Sequence, residues 1–136
     1  MTTIRDTSPP LRTPEPPTPA ALARTLLDLA EKTLDDGKAE DIVAIDLHGK
    51  SGIADYMLIA TGRSQRQVVA LAERLLAALK DAGHGRASVE GLTHGDWVLI
   101  DAGDVIVHLF RPEVRRYYNL EKMWGATLGD QATALA

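Results

Sequence analysis

The sequence contains no cysteine. That absence alone excludes disulfide scaffolds, thiolate zinc sites and cysteine nucleophiles, and it fits a reducing cytoplasm. Long apolar runs are missing too: none approaches the roughly 18 residues of a membrane span, so no membrane partner is expected. The N-terminus has no apolar h-region, so no secretory signal peptide is expected there. A basic surplus is also lacking, with a formal net charge of −4 and a pI of about 5.5. Proteins that live by neutralising phosphates usually carry such a surplus. RNA is therefore expected to be at most a secondary contact, and a basic protein suits the charge balance better. Aromatic residues make up only 4% of the chain, so the place of each one is informative.

The 136 residues are the size of one domain, long enough to bury a core without metal or disulfide help. Hydrophobic residues at 45% and charged residues at 25% strike the ordinary balance of a globular protein. Six of the seven prolines fall in the first 19 residues: Pro9, Pro10, Pro14, Pro16, Pro17 and Pro19. Proline fixes φ and lacks a donor, so residues 1–17 are expected to be a disordered extension. Residues 18–125 read as the folded domain and 126–136 as a flexible tail.

Thr18-Pro19 opens a helix, with Thr18 as N-cap and Pro19 at the first helical position. Leu22, Leu26, Leu29 and Ala30 follow at helical spacing, and Gly37 stops the run. Ile42 to Leu47 is short and β-branched, hence a strand; Gly49 to Gly52 is a turn. Tyr56 to Thr61 is a nearly all-apolar strand whose faces should both be covered. Ser64 and Gln67 form a capping box, each side chain satisfying the other's backbone donor. Val68, Leu71, Ala72, Leu75 and Leu79 make one apolar helical stripe that ends at Gly83. Arg86 to Glu90 is a weaker strand. Trp97 to Asp101 and Val105 to Phe110 are strong ones, joined by a tight hairpin at Ala102-Gly103-Asp104. In the last strand Val105, Val107 and Leu109 face one way, and Ile106, His108 and Phe110 the other. Pro112 stops it, and a final helix is expected over Glu113 to Trp124. The order predicts an α/β domain with a mixed five-stranded sheet and flanking helices.

Several chemistries find only part of their residue pattern here. Gly62-Arg63-Ser64 lies between a strand and a helix, where anions can bind. The chain has no G-x-x-x-x-G-K-[ST] or G-x-G-x-x-G, however, and the capping box already accounts for Ser64. Asp101, Asp104 and His108 suggest a metal or acid/base cluster, but nucleotidyl transfer needs two or three carboxylates aimed at one magnesium, typically D-x-D. No D-x-D occurs. His48, His84, His94 and His108 show no H-E-x-x-H pattern, so zinc is not expected. No G-x-S-x-G elbow marks a nucleophile. No catalytic residue, metal or cofactor is assigned.

Residues 81–124 say more. Asp81, Glu90, Asp96, Asp101 and Asp104 make an acidic stretch in which Trp97 starts a strand. Both tryptophans and two of the three tyrosines fall in residues 97–124. Trp, Tyr and Arg dominate interface hot spots. Tyr117, Leu120 and Trp124 recur at helical spacing, which serves equally to pin a last helix to the sheet. Trp97 follows a loop and precedes a strand with adequate apolar residues of its own, so it is read as an exposed contact residue.

The strings Glu40-Asp41-Ile42-Val43-Ala44-Ile45-Asp46-Leu47, Asp55-Tyr56-Met57-Leu58-Ile59-Ala60-Thr61-Gly62, Asp96-Trp97-Val98-Leu99-Ile100-Asp101 and Arg116-Tyr117-Tyr118-Asn119-Leu120-Glu121-Lys122-Met123-Trp124 come in this order. Together with Glu90-Gly91 and Gly103-Asp104-Val105-Ile106-Val107-His108, they resemble the Iojap/RsfS family of ribosomal silencing factors over residues 20–125. The resemblance implies a nucleotidyltransferase-like fold without catalytic carboxylates, and a regulator rather than an enzyme. It implies binding to ribosomal protein fourteen of the large subunit, at the face that meets the small subunit. Translation would fall under nutrient limitation because subunit joining is blocked. It carries the partner-binding role to Trp97 and Val98, with Asp96, Asp101, Tyr118, Leu120, Glu121, Met123 and Trp124 around them. Met123 stands where leucine is usual, a mild change in volume. A weak homodimer through the same surface is allowed. The Pro-rich leader has no counterpart in the family.

Overall fold

The computed structural model describes residues 18–50, 52–119 and 122. The expected extension over 1–17 and the tail over 126–136 lie outside these residues. Chain order is α1 (Pro19–Asp36), β1 (Glu40–Asp46), β2 (Tyr56–Thr61), α2 (Gln65–Asp81), β3 (Ser88–Glu90), β4 (Trp97–Asp101), β5 (Val105–Phe110) and α3 (Pro112–Tyr118). The five strands form one mixed sheet in the order β1-β2-β5-β4-β3. β2 and β5 are parallel, and every other pairing is antiparallel.

The caps act where the sequence places them. Thr18 Oγ1 accepts from the Ala21 amide at 3.1 Å and Pro19 follows it. Ser64 Oγ accepts from the Gln67 amide at 3.1 Å. The Gln67 side chain does not return to Ser64. Its oxygen accepts from the Arg63 amide at 2.7 Å, and its nitrogen donates to the Lys38 carbonyl at 3.3 Å. One glutamine thus ties the start of α2 to the loop after α1.

α1 and α2 cover one face of the sheet. Leu26, Leu27, Ala30 and Leu34 of α1 and Val68, Leu71, Ala72, Leu75 and Leu79 of α2 meet Leu58, Ala60, Val98, Ile100, Val105, Val107 and Leu109. The α2 stripe is the one that helical spacing predicts. On α1 the buried set begins at Ala23 rather than Leu22, which is 44% exposed. The helix is rotated by about one position from the expected stripe because Leu27 and Leu34 bury in its place.

The opposite face holds Ile45, Leu47, Ala54, Met57, Ile59, Ile106 and Phe110, with Val43, Trp97, Leu99 and Val114 packed around them. β2 is buried from Met57 to Thr61, because side chains press on it from both sides. The β4–β5 hairpin turns through Gly103, whose φ of +91° needs a glycine. Its register sets Trp97 opposite Phe110 and Leu99 opposite His108. α3 is shorter than the final helix the sequence predicts. Pro112 begins it, and Asn119 closes it in the left-handed conformation at φ 47°, so it does not run from Glu113 to Trp124 unbroken. Asparagine takes that conformation more readily than most residues and can stop a helix as glycine does.

Candidate partner-binding face

Strand alternation divides the expected site. Trp97 and Leu99 point to the face opposite α1 and α2, while Val98 is 0% exposed among the helix-side core residues. Val98 therefore cannot serve as a contact residue: neighbours along a strand face opposite ways. Leu99, two residues after Trp97, is the side chain that shares its face.

Trp97 is half-buried, where the sequence suggested exposure. Its ring lies 4.7 Å from that of Tyr118 and 4.9 Å from that of Phe110, centroid to centroid. Its indole nitrogen donates to His108 Nδ1 at 2.9 Å. Trp97 is thus part anchor and part surface. Tyr118 and Tyr117 remain exposed beside it, with Tyr117 edge-on to Tyr118 at 5.0 Å. A shallow hollow of about 300 Å³ adjoins the tryptophan, lined by Glu90, Gly91, Trp97 and Leu99.

His108 has a task that its sequence pattern alone does not show. It is 7% exposed and stacks parallel to Phe110 at 5.8 Å. Burial pushes its pKa from 6.5 down to about 4. Its Nδ1 can accept the indole proton only when that nitrogen is unprotonated, which places the ring proton of neutral His108 on Nε2. The alternation of β5, with Ile106, His108 and Phe110 on one face, held the clue.

The acids fall in separate places. Asp96 accepts from Gln65 Nε2 at 2.9 Å and from Arg111 Nε at 2.8 Å. The Gln65 amide, and after it the Arg111 guanidinium, hold its carboxyl below the ordinary value. Asp96 therefore locks the β4 entry to α2 and to the start of α3. Asp101 sits at the far end of β4, about 13 Å along the strand from Trp97. There its carboxylate accepts from the Gly103 amide at 2.9 Å and shapes the hairpin. Asp104 gives its carbonyl to the Asp55 and Tyr56 amides. Asp101, Asp104 and His108 do not converge, and among the described residues no three His, Asp or Glu side chains gather as metal ligands would. Leu120, Glu121, Met123 and Trp124 lie outside the described residues.

Gly62 owes its identity to packing. A Cβ there would press on the Val68 side chain at 2.7 Å and on the Val68 amide at 3.0 Å. The sharp turn into α2, rather than a phosphate, accounts for it. Of the arginines that a nucleic-acid surface would need, Arg111 is paired with Asp96 and Glu113, and Arg115 with the Asp41 carbonyl and Thr61.

The family model described as "Ribosomal silencing factor during starvation" matches residues 20–135. A ribosomal silencing factor of Zymomonas mobilis is 56% identical over 107 residues, which are 79% of this chain and 79% of that protein. One from Halalkalibacterium halodurans is 48% identical over 100 residues, covering 74% of this chain and 86% of the relative. Among solved structures, a crystal structure of a Chromobacterium violaceum protein superposes with a TM-score of 0.74 at 42% identity. It covers 76% of this chain and 86% of that one.

Proposed function

This chain belongs to the RsfS family of ribosomal silencing factors, and we propose from that premise that it binds the large ribosomal subunit in the cytoplasm and keeps the small subunit from joining. The partner is ribosomal protein fourteen, at the subunit-joining face. The docking face is built from Trp97, Leu99, Tyr117 and Tyr118, and the partner-binding role that the family resemblance gives Leu120, Glu121, Met123 and Trp124 is part of the same proposal.

The observation that carries this reading is the half-exposed aromatic group at the β4–α3 edge. Trp97 is held by His108 and Phe110 beneath it and Tyr118 beside it. A rigid indole with part of its surface free presents apolar area at little entropic cost, as interface hot spots do. Exposed Glu90 ends β3, Asp101 ends β4 and Asp104 lies in the β4–β5 turn. They suit a basic ribosomal protein by steering its approach rather than by tight pairing.

The mechanism is exclusion. A folded domain seated on a joining surface prevents docking by its bulk, and no chemistry is needed. Repression of translation then follows occupancy, hence affinity and concentration. Purified large and small subunits mixed with rising amounts of the protein test this by sedimentation. The joined particle should decline as the protein saturates the large subunit. Equal joining at large excess of protein would end the proposal.

A further inference from the structure

α3 is a helix of seven residues that buries none of its side chains fully, so apolar packing alone does not orient it. Two arginines hold it. Arg111, at its N-cap, donates its backbone amide to the Asp96 carbonyl at 3.1 Å and its Nε to the Asp96 carboxylate. That fixes where the helix begins. One turn on, Arg115 reaches the start of β1 and the end of β2. Its Nη1 donates to the Asp41 carbonyl at 2.6 Å and to Thr61 Oγ1 at 2.7 Å.

Both acceptors are set up for this contact. Thr61 closes β2 at 3% exposure. Asp41 holds a left-handed backbone, φ 50°, in the stretch where the β1–β2 register slips between Glu40 and Val43. Such a conformation is uncommon for a residue other than glycine. Asp41 forms no rung of the ladder, and its carbonyl accepts from the guanidinium instead. A cleft of about 650 Å³ beside this contact is lined by Asp41, Thr61, Pro112, Arg115 and Asn119 among others, while Val114 packs on the core.

Arg115 and Tyr118 are three residues apart and lie on neighbouring positions of one helix face. We infer that Arg115 is a positioning residue of the docking face: by tying α3 to Asp41 and Thr61 it sets the rotation of the helix, and so holds the Tyr118 ring against Trp97. Its effect on Trp97 stands on these contacts alone, and its effect on docking rests on the function proposed above. Charge-assisted bonds to a nearly buried hydroxyl and a carbonyl are among the stronger polar contacts a short helix can make.

Trp97 can report the outcome directly. For the spectra, a Trp124→Phe background makes it the single indole of the chain, while binding is measured with Trp124 in place. Arg115→Met should leave far-UV circular dichroism unchanged, shift Trp97 emission to the red and raise its quenching by acrylamide. It should weaken binding to purified large subunits about tenfold, the loss of one strong polar contact. Arg115→Lys, which keeps a donor, should fall between parent and Met variant in all three readouts. Thr61→Val removes one acceptor and should move emission and quenching the same way by less; it replaces Arg115→Met if that variant does not fold. Unchanged emission and quenching overturn the inference. So does a changed spectrum with unchanged affinity, provided Trp97→Ala weakens binding. If Trp97→Ala binds as well as the parent, the docking proposal fails, and the spectra alone decide whether Arg115 orients the helix.

Discussion

Across the β4–β5 pair, the indole nitrogen of Trp97 donates to Nδ1 of His108 at 2.9 Å, although the two residues are not register partners: Trp97 faces Phe110 and Leu99 faces His108. The bond runs diagonally over the sheet and fixes the tilt of the indole. It also ties that tilt to the charge state of a buried histidine.

That link predicts a pH dependence. Burial lowers the His108 pKa from 6.5 to about 4. Above pH 6.5 the ring is neutral folded or unfolded, and the full stability is present. Between 6.5 and about 4 only the unfolded chain takes the proton, so folding stability falls with pH across this window and levels off below it. The whole shift corresponds to at most about 3 kcal/mol. Urea denaturation at pH 7 and pH 4.5 should show this loss in the parent and lose most of it in His108→Gln. An equal pH dependence in the variant would assign the effect to other groups.

Tyr118 and Trp97 should separate stability from docking. Trp97→Ala removes contacts with Phe110 and Tyr118 and the bond to His108, so it should cost about 3 kcal/mol of stability. Tyr118 is 47% exposed, and Tyr118→Ala should cost less than about 1 kcal/mol. Both should weaken binding to the large subunit by about 2 kcal/mol or more. Cosedimentation and chemical denaturation on the same preparations measure the two effects; a Tyr118 variant that binds normally removes that residue from the face.

Gly91 stands at φ 91°, and a Cβ on it would run into the Trp97 carbonyl oxygen and press on Val98. Gly91→Ala should cost at least about 2 kcal/mol, from left-handed strain and backbone collision together. Thermal unfolding measures the cost. Because the collision falls on Trp97 itself, tryptophan fluorescence should change with it, whereas Gly49→Ala, at φ 78° in open space, should leave the emission as it was.

Ser64 Oγ carries the cap of α2. Ser64→Ala should lower stability by about 1 kcal/mol, while Ser64→Asp should retain the cap. No change in binding to the large subunit is expected from either, since α2 lies on the far side of the sheet from Trp97.

Local signals carried most of the fold. Thr18-Pro19, the Val68–Leu79 stripe and the Asp101–Val105 turn each rest on neighbours in sequence, and each stands in the structure where its chemistry puts it. The end of α3 is hidden in the sequence because Tyr117, Leu120 and Trp124 keep helical spacing past it; Asn119, a residue tolerant of left-handed backbone, is the one local sign of it. Trp97 looks like free surface in the sequence because its acceptor, His108, comes from the neighbouring strand. Period two along β4 was enough to place Val98 inside, but the resemblance to a family string drew both residues into one site. Arg115 and its acceptors are distant in sequence, and no local pattern joins them.

The parallel pairing of β2 with β5 has a consequence for how this protein comes into being. Tyr56 meets Val105 only after α2, β3 and β4 have been made, so the central seam of the sheet cannot close on a partial chain. Between the synthesis of β2 and that of β5 the growing polypeptide bears an apolar strand with one edge unsatisfied, the kind of surface that chaperones cover and that aggregates trap. Maturation should therefore be a late and abrupt event: a translation product halted before β5 leaves the exit tunnel should be readily digested by protease, and one carrying it should resist.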